Sequence, residues 1–178
     1  MNHSKSLIAA VLLAGASMAS SAVLAADIST PPQALNLLDN SAFFGDAFAM
    51  NNMSNTFADH FTFNVSAAGS GLDAIVSSIA RTAATGLDIT GLNLYNGSGL
   101  VATGTMVSSG AQDVWTLSAN GLAIGSYYVQ VSGNMLSTTS GSFGGSVMLA
   151  PVPEPATFGM LLAGLGVAGW LARRRKPG

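Results

Sequence analysis

Between residues 57 and 149 apolar and polar positions alternate in short runs, with turn residues between them. Phe57 to Val65 alternates with period 2, and Leu72 to Ala80 follows Gly69-Ser70-Gly71. Ile89 to Tyr95 meets Asn96-Gly97, a pair that tolerates positive φ and so predicts a hairpin, with Leu100 to Val107 as the return strand. Gln112 to Leu117, Gly125 to Val131 and Ser142 to Leu149 complete the set, separated by Ser109-Gly110, Asn120-Gly121 and Gly141. Strands of this length and spacing predict an all-β fold over 57–150, an antiparallel β-sandwich or jelly roll in which each sheet buries one face. Residues 26–56 are irregular, with Pro31-Pro32 and an Asn-rich run, and contain two apolar pieces, Leu35 to Leu38 and Phe43 to Phe48, that read as short edge strands. No long segment between Ala26 and Ala150 has helical periodicity.

The two ends carry different patterns. Residues 1–25 combine Lys5, an apolar stretch from Leu7 to Leu13 and the small-residue site Val23-Leu24-Ala25, which predicts a secretory signal peptide. Cleavage is expected between Ala25 and Ala26, with Ala22 as the alternative site. Residues 151–178 hold Val152-Pro153-Glu154-Pro155, then an uncharged run over 156–172, then Arg173-Arg174-Arg175-Lys176. A helix over 156–172 reaches about 26 Å, near the lower limit for a bilayer span. The basic tail over 173–176 places that end in the cytoplasm and the N-terminus outside. Pro153 and Pro155 keep the approach extended and present Glu154 at the outer surface, a shape suited to a peptidase.

Charge narrows the partners. Between Ala26 and Val152 one cation, Arg81, stands against seven aspartates, a formal net of −6. Such a region has no basic patch, which excludes nucleic acid as a partner. With no cysteine the chain has no disulfide, thiol nucleophile or lipoprotein acylation site.

Chemistry is thin as well. His60 is the one histidine after the signal region, and in a strand its neighbour Asp59 faces the opposite side, so adjacent residues cannot form a Ser-His-Asp relay. No glutamate precedes Glu154 and no two carboxylates share a motif spacing, which argues against a glycosidase pair. No catalytic residue, metal ligand set or cofactor is assigned, and the chain reads as a non-enzyme. Calcium needs only oxygens and stays open, with Asp39, Asp46, Asp73, Asp88 and Asp113 as its candidates. Trp115, Tyr127 and Tyr128 are candidates for stacking on a sugar, although alternation assigns at least half of them to the core.

Asp59 shares a strand face with Phe57 and Phe61, and an unpartnered carboxylate there costs several kcal/mol. It is expected to accept backbone N–H groups from a neighbouring turn or to pair with Arg81. The alternative is that it precedes the strand and is exposed.

Val152-Pro-Glu-Pro, the Gly-rich span and the terminal arginines resemble the PEP-CTERM sorting signal, which in many Gram-negative bacteria is cleaved by an exosortase. Phe57-Ala58-Asp59-His60-Phe61 resembles the motif of the FxDxF family of PEP-CTERM proteins. Phe61 to Val65, Leu92 to Gly97 and Gly121 to Val131, with its Gly-x-Tyr-Tyr turn, resemble the bacterial pre-peptidase C-terminal type of β-sandwich, which accompanies secreted enzymes without supplying catalysis. These resemblances imply signal peptidase and exosortase as processing partners and a transient membrane anchor through the C-terminal helix. They further imply delivery to the cell envelope or extracellular matrix in association with exopolysaccharide and biofilm. The alternative function is an extracellular binding module, for polysaccharide, calcium or ice, held by a permanent anchor.

Overall fold

The computed structural model describes residues 25–150 and 155–174; the expected signal peptide up to residue 24, Val152 to Glu154 and Arg175 lie outside them. Ten strands form two five-stranded sheets. The strands are β1 (Gln33–Ala34), β2 (Ser41–Phe48), β3 (Thr56–Val65), β4 (Ser70–Ile79), β5 (Leu87–Asn96), β6 (Gly99–Thr103), β7 (Thr105–Ser108), β8 (Gln112–Leu122), β9 (Gly125–Met135) and β10 (Gly141–Ala150). One sheet has the order β1-β3-β9-β5-β6 and the other β2-β10-β4-β8-β7. All pairings between them are antiparallel except β1 with β3.

Alternation produces the core directly. Phe57, Phe61, Phe63 and Val65 of β3 and Tyr127, Val129 and Val131 of β9 face Phe44, Phe48, Val76, Phe143 and Val147 of the other sheet, all buried. Two Phe residues lie over glycines opposite them on the adjoining strand, because only a missing side chain leaves room for the ring. Phe57 pairs with Gly133, where a Cβ would come within 2.5 Å of the ring, and Phe44 pairs with Gly145, where it would come within 2.6 Å.

Several local expectations are corrected. The return strand expected over Leu100 to Val107 is two strands, β6 and β7, in different sheets. The chain changes sheet at Gly104, which donates its N–H to Leu92 O at 2.7 Å and has no room for a Cβ between the carbonyls of Leu92 and Thr116. The Asn96-Gly97 hairpin exists, but neither residue has positive φ; Asn96 Oδ1 accepts the Ser98 N–H and Gly99 takes φ +125°. Asn120-Gly121 is not a connection. It lies inside β8 where the register against β4 shifts, and Gly121 at φ +70° supplies the bulge. Gly125 to Tyr128 is likewise the start of β9 and not a turn.

Leu35 to Leu38 is not a strand: β1 is two residues long and precedes it, while Leu38 makes one bridge to Ser41. Phe43 to Phe48 lies in β2, at the edge of its sheet. Residues 26–56 are thus built into the sandwich, since Phe44 and Phe48 belong to the core and residues 26–35 run beside the free edge of β3.

Candidate functional site

Because β3 alternates, Phe57, Asp59 and Phe61 all point between the sheets. Phe57 lies 4.5 Å from Phe48 and is stacked on Phe143 at 5.6 Å. Phe61 lies 4.7 Å from Phe44 and meets Phe143 edge-on at 6.1 Å. The two rings therefore join β3 to β2 and β10 of the opposite sheet. Between them sits Asp59, 0% exposed.

The carboxylate of Asp59 binds the segment that precedes β1. Its Oδ1 accepts the Thr30 N–H at 2.8 Å and the Thr30 hydroxyl at 3.3 Å, while that hydroxyl also reaches Asp46 Oδ2 at 2.7 Å. Oδ2 of Asp59 is buried without a partner. Burial pushes the Asp59 carboxyl above its ordinary value; the Thr30 N–H opposes this and the negative charge of Asp46 adds to it. Arg81, the other partner considered, lies beyond the end of β4 in the opposite sheet, and the bonds to Asp59 come from Thr30.

The same segment is fastened to β3 along its length. Ala26 donates its N–H to Asn55 Oδ1 at 3.0 Å and its carbonyl accepts the Thr56 N–H. Ile28 N–H bonds Thr56 O, the Ser29 hydroxyl accepts the Ala58 N–H at 2.8 Å, and Leu35 N–H bonds Thr62 O. Pro31 and Pro32 cannot donate, so side chains replace the backbone ladder around them.

The aspartates named as calcium candidates do not converge. Among the described residues no three His, Cys, Asp or Glu side chains are grouped to hold a metal ion. Asp113 is buried for structural reasons, its carboxylate accepting Ser78 Oγ–H at 2.9 Å and the N–H groups of Ile89 and Gly110. Asp88 sits beside it, with its carboxyl raised by burial and by the charge of Asp113.

The candidate aromatic residues separate. Trp115 packs against the core and donates its indole N–H to Ile89 O at 2.9 Å, and Tyr127 is buried with its hydroxyl on Ala123 O. Tyr128 faces outward, between His60 at 4.6 Å and Tyr95 at 5.1 Å, with the two phenol rings 8° from parallel. Tyr128 thus has a ring against each of its faces and leaves neither open to a sugar. Sequence reasoning missed this column; cross-strand register is what brings it together.

Pro155 opens the helix α1 (Pro155–Arg174), which ends with Arg173 and Arg174. Leu161, Leu162, Leu165, Val167, Trp170 and Leu171 are exposed, and the Arg174 guanidinium lies 4.7 Å from the Trp170 ring. Among the described residues no helix is long and apolar enough to cross a membrane. Ala25 and Ala26, the expected cleavage pair, are exposed.

Residues 151–176 match the PEP-CTERM protein-sorting motif. No curated protein sequence matches the chain. Among solved structures it is similar to the pre-peptidase C-terminal domain of collagenase from Bacillus anthracis, at 19% identity over 66% of this chain and 94% of that one, with TM-score 0.39. It is also similar to Aeromonas hydrophila PliG, a periplasmic lysozyme inhibitor of g-type lysozyme, at 15% identity over 70% of this chain and 99% of that one, with TM-score 0.44.

Proposed function

We propose that this chain is an exported, non-enzymatic protein of the cell surface or extracellular matrix, released from a transient membrane hold by an exosortase and associated there with exopolysaccharide. The observation that carries the reading is the junction at residue 150. The last strand of the sandwich ends at Ala150 and the sorting motif begins at the next residue. A cut at Val152 to Pro155 therefore frees the β-structure intact.

The helix supports a temporary hold. Its exposed apolar side chains require lipid or a protein partner. The non-enzymatic part of the reading is supported by His60, whose ring lies tilted against Tyr128 on the outer face while Asp59 points into the core.

Mass spectrometry of the C-terminus in cells with a matching exosortase tests the proposal. The wild type is expected to end within residues 152–155 and to fractionate with the matrix. The double variant Glu154→Ala, Pro155→Ala should keep residues 173–176 and stay with membranes. A wild-type protein that keeps its basic tail would overturn the reading.

A further inference from the structure

The sandwich has a cavity of about 610 Å³ at one end, a size ordinary for a small-ligand site. It opens where β2 and β4 end, β5 begins and the β9–β10 connection closes. Phe48, Ile79 and Leu87 give it apolar walls, while Arg81, Ser140 and Ser142 give it donors. Arg81 is the sole cation between Ala26 and Val152. The cavity thus concentrates the single positive charge of an otherwise acidic body.

Its walls are built. Gly86 donates its N–H to Ser137 Oγ at 3.1 Å and Thr139 Oγ1 at 3.2 Å, and its carbonyl accepts the Leu136 N–H. The turn after Arg81 is closed by Thr82 and Thr85, the Thr82 N–H bonding Thr85 Oγ1 at 3.1 Å and the Thr85 N–H bonding Thr82 O at 3.2 Å. Gly141 lets the connection approach Leu87, where a Cβ would stand only 3.1 Å from the Leu87 Cβ.

The direction of β10 fixes where the mouth points. Gly141 lines the cavity and Ala150 lies nine residues on, about 30 Å away along the strand. The chain thus leaves for its sorting helix from the end opposite the mouth.

We infer that this cavity binds a carboxylate-bearing sugar ring, with Arg81 pairing the carboxylate, the serine hydroxyls meeting ring hydroxyls and the apolar walls covering a C–H face. A single guanidinium forks onto one carboxylate with matched charge. A phosphate, carrying up to two charges, would face a formal net of −6 with one cation. A bare anion would leave the apolar walls unfilled. The inference rests on the surface-protein reading above and specifies which polysaccharide such a protein holds: one containing uronic acid units.

The test uses the full chain purified in detergent, titrated with methyl glucuronide and, as the uncharged comparison, methyl glucoside, while the amide resonances of Gly86 and Gly141 are followed by NMR. The glucuronide is expected to bind at about millimolar strength, to weaken with added salt and to bind at least about tenfold better than the glucoside. Arg81→Gln should abolish that difference, and Arg81→Lys should restore part of it, both with unchanged melting temperature because Arg81 is exposed. Equal binding of the two sugars, binding retained by Arg81→Gln, or no shift with glucuronide would overturn the inference, as would a preference for a dipeptide with a free C-terminal carboxylate. A failure here leaves the processing of residue 154 variants untouched, and a failure of sorting leaves this titration measurable.

Discussion

Thr30 donates its backbone N–H to Asp59 Oδ1 at 2.8 Å across 29 residues of sequence. This bond explains how a carboxylate occupies the apolar face of β3 between Phe57 and Phe61. It also converts an irregular stretch of residues into a fastened edge of the sheet.

Removing the acceptor should loosen that edge. Asp59→Ala leaves the Thr30 N–H without its partner and is expected to cost about 1–3 kcal/mol, measured as a lower urea midpoint at unchanged slope. Limited proteolysis between residues 27 and 32 should quicken in the variant, since between Ser29 and Leu35 the segment then loses its backbone bond to β3 at Thr30.

Stability should rise as pH falls from neutral toward the ordinary carboxyl range. Burial raises the carboxyls of Asp59 and Asp88, so over that window the folded chain binds more protons than the unfolded one. Asp27 acts at lower pH and with the opposite sign. The Ser29 hydroxyl and N–H hold its carboxyl below the ordinary value, so the stability it contributes is lost as pH falls below that range. Urea midpoints are expected to peak near pH 4, about the ordinary carboxyl value, and Asp59→Asn should flatten the rise between neutral pH and that peak.

Glycines at two kinds of position should respond differently. Gly133→Ala and Gly145→Ala force a methyl group against Phe57 or Phe44 and a backbone carbonyl, with an expected loss of about 1–3 kcal/mol. Gly121→Ala meets nothing within 4 Å, so its cost comes only from φ +70° and is about 1 kcal/mol. Thermal midpoints for the three single variants check the order.

Trp115→Phe keeps an aromatic ring but removes the donor to Ile89 O. A loss of about 1–2 kcal/mol follows, while glucuronide binding at Arg81 stays unchanged, because Trp115 does not line that cavity.

Period-2 alternation was sufficient to find nearly every strand from Thr56 to Ala150, because burial of one face writes itself into residues i and i+2. The C-terminal sorting motif was legible for a similar reason, since a basic tail, an uncharged run and a proline-flanked glutamate are contiguous in the chain. What alternation does not contain is the identity of neighbours. The division of the expected return strand at Gly104, the bulge at Gly121, the ring column of His60, Tyr128 and Tyr95, and Thr30 as the partner of Asp59 all depend on which strand lies beside which. The same holds for Arg81, the one cation between Ala26 and Val152, which becomes the wall of a cavity only when the ends of β2 and β4 meet the start of β5. Local patterns specify which face a residue takes, but only the packed sheets decide what that face meets.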